Sequence, residues 1–133
     1  MKEFSGNDVK RLLKLRPIIE AEKRLTYAKA HGIPDEQVSA EVHDLISLHE
    51  RRLKCIDSLF SVLTEDEAFI VRRHVMDELD WYRIMKEHVD MWGSENEKSI
   101  RTFQIYQARA LKKMADFINY RDDVELFRGM LEP

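Results

Sequence analysis

An all-α fold is predicted by three features of the sequence. Only four Gly and three Pro occur in 133 residues, so turns are few and elements are long. Apolar residues recur at steps of three and four along most of the chain. Helix-starting signals precede these runs, the clearest being Thr64-Glu65-Asp66-Glu67, which reads as an S/T-x-x-E capping box. The arrangement expected is an N-terminal antiparallel helical hairpin, residues 1–62, followed by a three-helix helix-turn-helix domain, residues 63–120. A tail or short helix, 121–133, closes the chain.

Asn7 or Asp8 is expected to cap the first helix, whose apolar positions begin at Val9, Leu12 and Leu13. That helix runs toward Ala30, with Pro17 as a kink or restart because proline removes a backbone donor. His31-Gly32-Ile33-Pro34 breaks the pattern. Gly32 suits a helix C-cap, and Pro34 suits the first turn of the next helix. In the second helix Val38, Val42, Leu45, His49, Arg52, Ile56, Leu59 and Leu63 alternate steps of four and three. Ile46, Leu53 and Phe60 widen this seam. A hairpin buries both stripes most simply. A homodimeric coiled coil is the competing solution, and a homo-oligomer through the Val42, Leu45, Ile56 and Leu59 stripe is expected. Cys55, the single cysteine, excludes an intramolecular disulfide and packs in the core.

Three helices follow, at 64–77, 80–90 and 99–118. The first presents Ala68, Val71 and Val75 inward. Asp80 caps the second, with Trp81, Ile84 and Met85 on one side. Residues 91–96 form a loop, Ser99 caps the third helix, and Asp122-Asp123 stand before a short final one.

The third helix of this set carries the functional signal. Lys98–Ala115 holds Lys98, Arg101, Arg109, Lys112 and Lys113 and no acidic residue, in a chain of net charge −3. The contrast is local, because residues 64–133 are the more acidic half. Phe103, Gln107, Ala110 and Met114 define an inner face at helical spacing. Arg101, Ile105, Ala108, Arg109 and Lys112 fall opposite it. A basic outer face on an acidic protein points to a polyanion, and nucleic acid is the leading choice. A plain solvated helix surface is the alternative.

Other chemistries find little footing. The five histidines do not stand at H-x-x-x-H or E-x-x-H spacing, so no metal site is expected. No Gly-rich phosphate loop, nucleophile elbow or Cys-His pair is visible, and no enzyme activity or cofactor is expected. The carboxylate pairs stand at helix starts, where capping explains them. No apolar run reaches the ~20 residues that span a bilayer. The N-terminus lacks a signal-peptide core, so a cytoplasmic protein without membrane contact is expected.

Leu63-Thr64 with Glu67, the Arg73-His74 pair, Trp81 before Ile84, and Ala110-Leu111 with Met114 resemble region 4 of bacterial sigma factors over about residues 63–118. With a long hairpin in front, the chain is similar to phage late-transcription regulators of the ArpU/RinA type. The connection HVDMWGSENEK is longer than the short turn of that pattern. The resemblance implies sequence-specific duplex DNA binding in transcription control, with RNA polymerase as a further partner. It implies base-facing positions at Ile100, Arg101, Gln104 and Ile105. Arg101 would pair with guanine, Gln104 with adenine, and Ile105 with a thymine methyl. Arg109, Lys112 and Lys113 would lie along phosphates, with Lys98 and Ser99 at the helix N-terminus. A helical protein–protein interaction module without DNA binding remains the alternative function.

Overall fold

Helix α1 runs from Gly6 to Ala30, the first element in a computed structural model that describes residues 3–34 and 39–132. All regular structure among the described residues is helical. The cap of α1 is Ser5, not Asn7 or Asp8. Ser5 Oγ accepts from the Asp8 N–H, and the Asp8 carboxylate accepts from the Ser5 N–H at 2.9 Å. Asp8 is therefore the reciprocal partner of a capping box, three residues inside the cap. No restart occurs at Pro17: α1 continues through it. The missing proline donor is offset nearby, where Leu12, Leu13 and Ile19 are buried and Arg16 grips Asp57 of the next helix at 2.7 and 3.1 Å. Gly32 follows the C-cap at φ +84°, a left-handed conformation that glycine adopts without a Cβ penalty.

Helix α2 spans Ala40–Ser58 and is capped by Ser39. Pro34 therefore does not open it. Residues 35–38, including the expected seam residue Val38, lie outside the described residues. Helices α1 and α2 pair in opposite chain order: Arg16 meets Asp57, while Lys23 and Tyr27 meet Glu50. The α2 seam divides along its length. His49, Cys55, Ile56 and the adjoining Leu59 are buried, whereas Leu45 is exposed. Burial pushes the Cys55 thiol up from its ordinary pKa, with Asp123 adding to the shift.

A 3₁₀ turn, Leu59–Val62, leads to Thr64. The capping box forms as expected and opens α3, Glu65–Ile70. The helix then widens into a π-helical segment, Val71–Met76, which ends in bonds from Asp77 N–H to Arg72 O and from Leu79 N–H to Arg73 O. Glu78 turns the chain at φ +57°. Asp80 caps α4, Trp81–Trp92, so Met91 and Trp92, expected in the loop, belong to the helix. Gly93 follows at φ +92°, where an added Cβ would stand 2.6 Å from the Glu95 carboxylate. Ser99 caps α5, Ile100–Asn119, and α6 spans Val124–Leu131.

One hydrophobic cluster joins α1, α2, the π-helical segment, α5 and α6. It contains Val9, Leu12 and Leu13 of α1, Ile56 and Leu59, Val71 and Val75, Met114 and Ile118 of α5, and Phe127 of α6. The sequence divisions at 62 and 120 thus fall within a shared core. A smaller aromatic layer holds α4 against α3, the π-helical segment and α5. His74 stacks on Trp81 with centroids 3.7 Å apart, His88 meets Phe103 edge-on, and Trp92 meets Phe69 edge-on.

Candidate nucleic-acid interface

The two faces of α5 separate as helical spacing requires. Phe103, Gln107, Ala110, Leu111, Met114 and Ile118 are buried. Gln107 is buried with a partner: His74 Nδ1–H donates to its Oε1 at 2.6 Å. On the other side Arg101, Gln104, Ile105, Ala108, Arg109 and Lys112 are exposed. Ile105 is 55% exposed at the centre of this polar face. Ile100 and Lys98 are half-buried. The Ser99 hydroxyl accepts from the Thr102 N–H at 3.1 Å, so it serves as the helix cap.

The five cations of the segment do not share one environment. Glu67 of α3 is fully buried, and its two oxygens accept from Lys113 Nζ at 2.7 Å and Arg109 Nε at 3.1 Å. Burial by itself would raise the Glu67 pKa. Hydrogen bonds from Lys113, the Thr64 N–H and Arg109 outweigh that effect and hold the carboxyl down at about 2. Arg109 also lies over the Tyr106 ring, 4.7 Å from its centroid. Two of the expected phosphate contacts are thereby tied to α3. Lys112 has only a 3.7 Å approach to Asp116 between two exposed side chains, a pairing worth little in water. Arg101 and Lys98 form no ion pair among the described residues.

The remaining edge of α5 lies against α1. Gly6 is close enough that an added Cβ would sit 3.4 Å from Leu111 Cβ. A shallow groove of about 310 Å³ runs between the helices, with Asn7 and Lys10 on one wall and Gln104 and Ala108 on the other. The exposed row Arg101, Gln104 and Ile105 is therefore flanked by α1 on one side and by the acidic first turn of α3 on the other. Neither neighbour is legible locally. Glu67 is visible in the sequence only as a capping-box residue, and Lys10 only as part of an amphipathic helix.

Among the described residues no group of three or more His, Cys, Asp or Glu side chains is arranged to hold a metal. No helix among them is long and apolar enough to cross a membrane. No family model, no curated protein and no solved structure matches the chain.

Proposed function

We propose that the chain is a sequence-specific duplex DNA-binding regulator of transcription, of the phage late-regulator kind. In this reading α1 and α2 form the N-terminal hairpin, α3 to α5 form the helix-turn-helix, and α5 is the helix that enters the major groove. One observation carries the reading. Arg101, Gln104 and Ile105 stand together on the exposed face of a capped helix, within the stretch Lys98–Ala115 that holds no acidic residue. They offer a bidentate cation, an amide and an apolar contact, the three side-chain types that distinguish bases in the major groove. RNA polymerase is the further protein partner of this proposal. Selection of binding sites from random duplexes tests it, and enrichment of one sequence is the expected result. Recovery of unenriched pools at every salt concentration would reject it.

A second reading rests on a different surface. Ile18, Leu25 and Tyr27 on α1 and Leu45 on α2 are exposed, at 42–57%. Large apolar side chains exposed on two paired helices favour a helical interaction module. Salt separates the readings. DNA binding weakens steeply as salt rises, because each neutralised phosphate releases counterions, whereas apolar helix pairing changes little.

A further inference from the structure

We infer that α1 is part of the DNA-binding surface, and that Lys10, with Lys14 one turn along, tracks a phosphodiester strand beside the base-reading row of α5. The inference rests on the DNA-binding reading and adds to it an element that lies outside the helix-turn-helix. Its basis is the asymmetry of the two edges of α5. On the α3 edge, Glu65 and Asp66 stand in the same helical turn as Glu67, and Glu67 already holds Arg109 and Lys113. A phosphate on that edge meets carboxylates and two cations already paired with Glu67. On the α1 edge, Lys10 lines the groove opposite Gln104 and Ala108, and neither Lys10 nor Lys14 forms an ion pair among the described residues.

The close approach of Gly6 to Leu111 keeps this edge narrow. A four-carbon lysine stem on α1 therefore reaches the margin of the α5 face. The acids nearest in sequence do not enter the groove. Glu3 and Asp8 line a different depression with Arg11 and Arg128, and Asp8 pairs with Arg11. Charge complementarity thus places a DNA strand along α1, with Arg101 and Lys112 on the adjoining α5 face. Lysine suits this task as a point charge that binds phosphate without reading sequence.

The test uses the full chain and short random-sequence duplexes, with binding titrated against salt. Lys10→Ala is expected to weaken binding to every duplex alike and to lower the log–log salt slope by about 0.9. The double variant with Lys14→Ala is expected to lower it by about twice that. The selected base preference and the thermal midpoint stay unchanged. Lys29→Ala, at the far end of the same helix, is the control and binds as the parent does. If Lys10→Ala keeps the parent slope while Arg101→Ala loses its base preference, the α1 inference is overturned and the DNA-binding reading stands. If the parent binds no duplex even at low salt, both are overturned.

Discussion

Phe4 and Asn119 hydrogen-bond each other twice across 115 residues of chain. The Asn119 side-chain oxygen accepts from the Phe4 N–H at 2.8 Å, and its amide donates to the Phe4 carbonyl at 3.1 Å. One side chain at the end of α5 therefore fixes the backbone just before α1. The Phe4 ring is carried onto Phe127 of α6 in an edge-on contact, centroids 6.5 Å apart. Asn119→Ala leaves both Phe4 backbone groups without their partner. It is expected to cost about 1–3 kcal/mol in denaturant unfolding and to speed proteolysis near residue 4. An unchanged unfolding midpoint would show that water replaces both bonds without loss.

Acid should unfold the chain partly through Glu67. Its pKa is lowered in the folded state, from 4.5 to about 2. The stabilisation is complete above the ordinary carboxylate range and disappears as pH falls toward 2. The parent is expected to lose roughly 2–3 kcal/mol on this account between about pH 5 and pH 2. Glu67→Gln, which preserves the cap acceptor, should be less stable at neutral pH and should lack this part of the acid dependence. Parallel pH profiles for parent and variant would refute the assignment.

The cations of α5 should divide into two groups when replaced singly. Arg109→Ala and Lys113→Ala should lower thermal stability, because each leaves buried Glu67 with one partner fewer. Arg101→Ala and Lys112→Ala should leave stability nearly unchanged. Four melting curves decide the matter, and equal midpoints for all four would remove the distinction.

On DNA the same residues should divide differently. Arg101→Ala should cost about 1–3 kcal/mol on the selected site and relax one base position. Lys112→Ala should weaken all sequences alike and reduce the salt slope by roughly one. A salt titration of both variants on selected and scrambled duplexes reads each effect separately. Parent-like binding by both would leave the α5 face as ordinary solvated surface.

Self-association, if it is the use of the α1–α2 pair, should run through a surface other than the full α2 stripe. Ile56 and Leu59 are fully buried within the chain, whereas Ile18, Leu25 and Leu45 are exposed. Ile18 and Leu25 lie two turns apart on one face of α1. Leu25→Glu is expected to shift a concentration-dependent light-scattering mass to that of one chain. A single-chain mass for the parent at high concentration would remove the oligomer from consideration.

Local signals were the legible part of this fold. Thr64, Asp80 and Ser99 each marked a helix start, because a cap involves groups only three residues apart. The inner face of α5 followed from spacing alone. The cap of α1 is less legible, because Asp8, a good capping residue itself, serves as the third-position partner of Ser5. Other features were out of reach because their partners are distant in sequence. Glu67 meets Arg109 and Lys113 across 42 and 46 positions, so a basic stripe read as free charge proves to be partly neutralised. The approach of α1 to α5 depends on tertiary packing in the same way. A stripe pattern shows which face of α2 is apolar, not how much of it its own chain will cover.

The π-helical stretch at Val71–Met76 also bears on how this chain can tolerate change in length. A π turn closes on the fifth residue where an α turn closes on the fourth, so the segment accommodates one residue beyond regular α geometry. Deleting a residue there could let the backbone close as an ordinary helix with little local damage. Everything after it would then rotate by about 100° relative to α3. His74 would leave Trp81 and Gln107, and α4 would present a different side to α5. The alignment of the two halves of the chain is therefore set by a single extra residue, and an indel at this point would act as a change of register, not as a change of loop.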